Sequence, residues 1–120
     1  MRRLMIADDS AVICKVAKRI LSGMDFLVVE TSNTGEAMIM CQAQLPEIMV
    51  VDAGMPGALD LITSVRAMNG GKEVRIFYCL IENDLKQMMI GRRAGADEFL
   101  LKPFDRRILT AAFAPHALAA

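Results

Sequence analysis

"LMIADDSAV", residues Leu4 to Val12, decides how the rest of the chain is read. Its apolar start, Leu4 to Ala7, stops abruptly at two adjacent acids, Asp8 and Asp9. Neighbouring carboxylates repel unless a cation or a solvated helix start absorbs their charge. The stretch therefore reads as a buried strand that delivers charge at its end. Similar runs follow at "FLVV" (26–29), "IMVV" (48–51), "RIFYCLI" (75–81) and "EFLL" (98–101). They are bulky and continuous rather than alternating, the mark of strands covered on both faces of a parallel sheet.

Helical segments separate these runs. Val12, Val16, Ile20 and Leu21 share a face, and Gly23 stops that helix. "NTGEAMIMCQAQL" opens on capping residues and ends before Pro46. "LDLITSVRAM" ends at Gly70-Gly71, and "NDLKQMMIGRRAGA" has Asn83 or Asp84 as cap and Gly95 as stop. "DRRILTAAF" forms a short last helix before Pro115. Strand and helix alternate along the chain, which predicts a single open three-layer α/β domain over residues 1–120 with right-handed crossovers.

Composition excludes several classes. The chain is 54% hydrophobic, yet no apolar run approaches the ~20 residues needed to span a bilayer. "MRRLMIA" is too short, and too soon followed by acids, to be a secretion signal. Fourteen basic and fourteen acidic residues cancel, leaving no overall field to hold nucleic acid or a membrane surface. Cys14, Cys41 and Cys79 lie far apart without metal-ligand spacing, and read as reduced thiols in a cytoplasmic protein. Ten methionines and no tryptophan point to an adaptable core.

In open α/β sheets ligands bind beyond the carboxyl ends of the strands. The first run delivers Asp8 and Asp9 there, the third Asp52 in "VVDAGMP", and the fifth Lys102 in "LLKPF". Carboxylates clustered in this way call for a hard divalent cation, for which Mg2+ is the natural choice. A lysine beside them neutralises one acid or holds a phosphoryl oxygen. A carboxylate can itself accept a phosphoryl group. Asp52 is the better acceptor, because it stands alone before a loop containing Gly54, whereas Asp8 and Asp9 are paired for metal work.

The acidic pair "DD", the "DAGMP" after the third run and the close of "AGADEFLLKPF" together resemble the receiver domain of two-component response regulators. The likeness covers nearly the whole chain. It implies a flavodoxin-like (βα)5 fold, a doubly wound five-stranded parallel sheet. It implies a phosphorelay protein rather than an enzyme acting on an outside substrate. Asp52 would take a phosphoryl group from a histidine kinase or histidine phosphotransfer protein. Asp8, Asp9, Asp52 and the Gly54 carbonyl would hold Mg2+. Lys102 would contact the phosphoryl group, and Lys102-Pro103 would be a cis peptide. The fourth helix, fifth strand and fifth helix, with Arg92, Arg93, Arg106 and Arg107, would meet a downstream protein. The first helix, with Val12, Ile13 and Val16, would meet the phosphodonor.

Two features depart from the family's pattern. Counting back from Lys102, the position that usually offers a Thr or Ser hydroxyl is Leu80, the usually small next residue is Ile81, and the aromatic position is Phe99. A hydrogen bond to a charged group contributes about 1.5–3 kcal/mol. Its loss removes roughly tenfold to hundredfold bias between two states, so the response is expected to stay local to Asp52 and Lys102. The segment "MPGALDLITSV" is also about two residues shorter than the family's usual one, which displaces the start of the third helix. The alternative reading is a degenerate receiver that binds partners without phosphorylation. A Mg2+-dependent aspartate-nucleophile phosphohydrolase is disfavoured, since such enzymes place a second aspartate where Gly54 stands. No DNA-binding output domain is recognisable within these residues. The end, Ala117-Leu118-Ala119-Ala120, resembles the tail of a bacterial degradation tag and is expected to hang free after Pro115.

Overall fold

A computed structural model describes residues 1–117. Five parallel strands form one sheet in the order β2-β1-β3-β4-β5. They are β1 (Arg2–Ala7), β2 (Phe26–Thr31), β3 (Ile48–Asp52), β4 (Arg75–Leu80) and β5 (Glu98–Leu101). The helices are α1 (Ala11–Ser22), α2 (Thr34–Ala43), α3 (Ala58–Ala67), α4 (Leu85–Ala94) and α5 (Arg106–Phe113). The three-layer α/β fold read from the alternating runs, and the doubly wound five-stranded sheet that the resemblance implies, are the observed ones. Ile81 is the exception among the strand residues, since it lies beyond β4 and is 78% exposed.

Side-chain alternation divides the core into two layers. Leu4, Ile6, Ile48, Val50, Phe77, Cys79 and Leu100 face α1 and α5. Met5, Ala7, Met49, Val51, Ile76, Tyr78 and Leu80 face α2, α3 and α4. Small residues bring the helices close to the sheet: Cys14 and Ala17 on α1, Ala37 and Cys41 on α2. This corrects the expected face of α1. Cys14, Ala17, Ile20 and Leu21 are buried, whereas Val12 and Val16 point to solvent, Val12 being 71% exposed. Bulk suggested one stripe; the close approach required the other.

Side chains cap most helix starts. Ser10, Asn33, Asp84 and Asp105 accept backbone N–H groups at α1, α2, α4 and α5. α3 has no such cap and starts from Gly57, whose φ of 81° is a left-handed conformation suited to glycine. The segment 53–57 thus turns directly from the end of β3 into α3, and Thr34 Oγ1 donates to its Pro56 carbonyl at 3.1 Å.

The amino ends of the strands are pinned separately. Arg66 on α3 donates to the carbonyls of Gly71, Val74 and Gly95, and to Asp97 Oδ2 at 2.8 Å. Asp97 Oδ2 also accepts Ile76 N–H. After α5 the chain makes a tight turn through Ala114–His116, with Pro115 inside it. His116 Nε2 lies 3.2 Å from Glu98 Oε2, and Arg2 donates to the His116 carbonyl at 2.8 Å. Ala117 packs on the core. The segment after α5 is therefore docked through Ala117, contrary to the free tail expected after Pro115. Residues 118–120, where the degradation-tag likeness falls, lie outside the described residues.

The three thiols are buried. Burial, with the Asp8 charge second, pushes Cys14 up to about 11; burial also raises Cys41 and Cys79. Thiolates are the reactive form. The native protein at pH 7.5 is expected to react slowly at all three sites with a thiol-specific disulfide reagent, and fast only once unfolded. Rapid native labelling of Cys14 or Cys79 would show that this packing opens in solution.

Candidate functional site

The layers set the site. Asp8 follows Ile6 by two residues, Asp52 follows Val50 and Lys102 follows Leu100, so all three continue the face covered by α1 and α5. β1 and β3 are neighbours, with Ala7 opposite Val51, which brings their carboxyl ends together. Ligand oxygens of Asp8, Asp9 and Asp52 lie within 4.8 Å of one another. Asp8 and Asp52 are buried and Asp9 is exposed.

Lys102 reaches this cluster from the end of β5. Its ammonium lies 2.8 Å from Asp8 Oδ2 and 3.2 Å from Asp52 Oδ1. Lys102 N–H is fixed by the Leu80 carbonyl at 2.8 Å, and the Lys102-Pro103 peptide is cis. Burial alone would lower the lysine pKa; the hydrogen bond to Asp8 and the charges of Asp8 and Asp52 outweigh it and raise the value. The ammonium therefore stays charged at neutral pH.

Backbone donors orient the acids. Ser10 N–H donates to Asp8 Oδ1 at 2.9 Å, and Gly54 N–H to Asp52 Oδ1 at 3.0 Å. Asp52 Oδ1 is thus shared between an amide and the ammonium, while Oδ2 has no protein donor among the described residues. Three carboxylates against one ammonium leave two negative charges. Hard oxygens, residual negative charge and one solvent-facing acid fit a divalent cation such as Mg2+, which binds through few carboxylates and keeps several waters.

Beside Asp52 opens a recess of about 340 Å³, lined by Ala53, Gly54, Cys79, Ile81, Glu82, Asp84 and Gln87. Cys79, next to Leu80 in sequence, is expected by alternation to point to the other face of the sheet. It falls on the face opposite Leu80, as alternation requires, but that face is the one carrying Asp8 and Asp52. Leu80 is buried in the other layer and meets the site through its carbonyl. Phe99, on β5, is half-buried against that same layer with the Arg92 guanidinium 5.2 Å over its ring. Glu82 follows the fourth run, which delivers it to this rim; Asp84 and Gln87 were not singled out as site residues, and the Asp84 cap on α4 was the signal that could have placed them there.

Known proteins converge on one family. The model of the response regulator receiver domain matches residues 4–114. Chemotaxis protein CheY1 of Helicobacter pylori is 29% identical over 111 residues, covering 89% of this chain and 90% of that protein. The probable transcriptional regulator ycf27 of Guillardia theta is 28% identical over 91% of this chain, which spans only 42% of that protein. DNA-binding response regulator MtrA of Mycobacterium tuberculosis is 25% identical over 92% of this chain and 48% of its own length. Chemotaxis response regulator CheY4 of Vibrio cholerae has the same fold, with a TM-score of 0.90 at 22% identity over 98% of this chain and 99% of that one. A putative response regulator from Chloroflexus aurantiacus gives a TM-score of 0.87 at 25% identity, with 95% of each chain covered. Sheet order, clustered acids and matched family model agree, and the chain belongs to the response regulator receiver domain family of two-component signalling.

Proposed function

We propose that this receiver domain takes a phosphoryl group onto Asp52 from the phosphohistidine of a histidine kinase or histidine phosphotransfer protein. The observation that carries the reading is the Asp52 carboxylate, held through Oδ1 by Gly54 N–H and Lys102 while Oδ2 has no protein donor. An Asp52 oxygen attacks phosphorus in line, the P–N bond breaks, and the imidazole leaves with its electron pair and takes up a proton. Asp8, Asp9, Asp52 and the Gly54 carbonyl are the groups that would hold Mg2+. When bound, that ion supplies charge compensation for the incoming phosphoryl oxygens. Lys102 shifts from its pairing with Asp52 toward the phosphoryl group, and Asp8 keeps it aimed.

The donor's helix meets α1, where Val12 and Val16 are exposed beside the site. The downstream partner meets α4, β5 and α5, where Leu85 and Met89 are exposed beside Arg92 and Arg93, and Leu101 and Ile108 are exposed on β5 and α5. A cytoplasmic location goes with this role, and among the described residues no helix is long and apolar enough to cross a membrane. The apolar Leu80 supports the second reading, an interaction module that works without phosphorylation.

Phosphodonor labelling separates the two. The parent protein is expected to take up an alkali-labile label, and Asp52→Asn to take up none; equal labelling of both would place the acceptor elsewhere, and no labelling of the parent by any donor would favour the interaction module. Mg2+ titration is expected to saturate in the parent and to be abolished by Asp9→Ala, so an unchanged titration in that variant would remove Asp9 from the metal site. Lys102→Ala leaves two buried carboxylates without their cation, a loss of about 3 kcal/mol. Thermal denaturation is expected to show this loss without Mg2+, and Mg2+ to stabilise the variant more than the parent; equal stabilisation of the two would contradict the charge balance described.

A further inference from the structure

α4 has one fully buried residue, with Met88 and Ala94 partly buried against the core layer of Tyr78 and Leu80. The fully buried one is Gly91, while Leu85 and Met89 are exposed. Gly91 lies directly against the Tyr78 ring: a Cβ there would stand 2.5 Å from Cδ2 and 2.8 Å from Cε2. Carbon atoms pack at about 3.5–4.0 Å, so this seat has no slack. On another side the same buried ring lines a cavity of about 300 Å³ with Ala53, Met55, Gly57 and Ala58, the segment that follows Asp52. Its edge meets Phe99 with the centroids 6.4 Å apart at 78°. Arg92, next to Gly91, covers Phe99 in turn. One side chain therefore borders the loop after Asp52, the one fully buried residue of α4, and the aromatic residue of β5.

We propose that Tyr78 is the positioning residue that couples the loop after Asp52 to α4, in place of the hydroxyl that residue 80 lacks. The proposal rests on Asp52 being the phosphoacceptor. A phosphoryl group on Asp52 must be accommodated by Ala53 and Gly54, because Gly54 N–H already donates to that carboxylate. Displacement of the loop changes the wall of the cavity on the open side of the ring. Close-packed contacts switch between discrete arrangements rather than stretch, so a shift of the ring carries Gly91 and Phe99 with it. The ring does this by packing, and its hydroxyl is not required. The response then reaches α4, beyond the neighbourhood of Asp52 and Lys102 to which Leu80 alone would confine it.

Amide correlation spectra, with beryllofluoride and Mg2+ as the phosphoryl probe, test the coupling. In the parent, amides of 53–54 and of α4 are both expected to shift. Tyr78→Leu is expected to keep the loop shifts and to lose α4 shifts by about threefold or more. Tyr78→Phe, which keeps the ring, restores them. Undiminished α4 shifts in Tyr78→Leu, a silent α4 in a parent whose loop responds, or a Phe variant as defective as Leu would each overturn the proposal. A parent with no shift at 53–54 refutes the phosphoacceptor reading itself, and this coupling with it. Should Tyr78→Leu fold poorly, Gly91→Ala crowds the same seat from the helix side. It must weaken the α4 response while sparing the loop, and an unchanged α4 response in it overturns the coupling.

Discussion

The Lys102 ammonium between Asp8 and Asp52 is the contact on which the arrangement depends. It ties the ends of three strands, β1, β3 and β5, through one charge. Burying two carboxylates without a partner would cost several kcal/mol each. The sheet can present acids at its rim because the fifth strand returns a cation to them. The pairing is incomplete by design of charge: Asp9 adds a third carboxylate on the solvent side, and no second ammonium joins the cluster among the described residues. An excess of negative charge, held rigidly by backbone amides from Ser10 and Gly54, is what distinguishes this rim from a set of helix caps.

Strand parity decides which side chains share that rim. Every second residue faces α1 and α5, and Asp8, Asp52 and Lys102 all fall on that parity. The opposite parity places Tyr78 and Leu80 under α4. The two layers have different grips on their helices. α1 is seated by four buried residues and α3 by four, while α4 has Gly91 fully buried and Met88 and Ala94 partly so. The least anchored helix therefore lies beside the recess at Asp52, to which it contributes Gln87.

Much of this was legible in the sequence because the signals were strong. Continuous apolar runs marked doubly covered strands, and acids or lysine directly after three of them marked one rim. Helix stops at Gly23 and Gly95 were equally plain, and the cap left open between Asn83 and Asp84 is Asp84. What escaped depended on distances that a linear reading does not carry. Val12 and Val16 looked like core by bulk, yet the closeness of α1 to the sheet favoured Cys14 and Ala17. Alternation put Cys79 on the face opposite Leu80, but did not tell that this face is the one carrying Asp8 and Asp52. The seat of Gly91 on Tyr78 joins residues on separate elements, and glycine inside a helix reads only as weakness until the ring beneath it is seen.

Arg2, at the start of β1, holds the His116 carbonyl, while Glu98 holds the imidazole of the same residue. Both ends of the described chain thus meet at the pole opposite the acidic rim. The described chain therefore begins and ends far from the acidic rim. The ends of the described chain and the acidic rim thus sit on opposite poles of the sheet, so the contacts that fix one are separate from the contacts that fix the other.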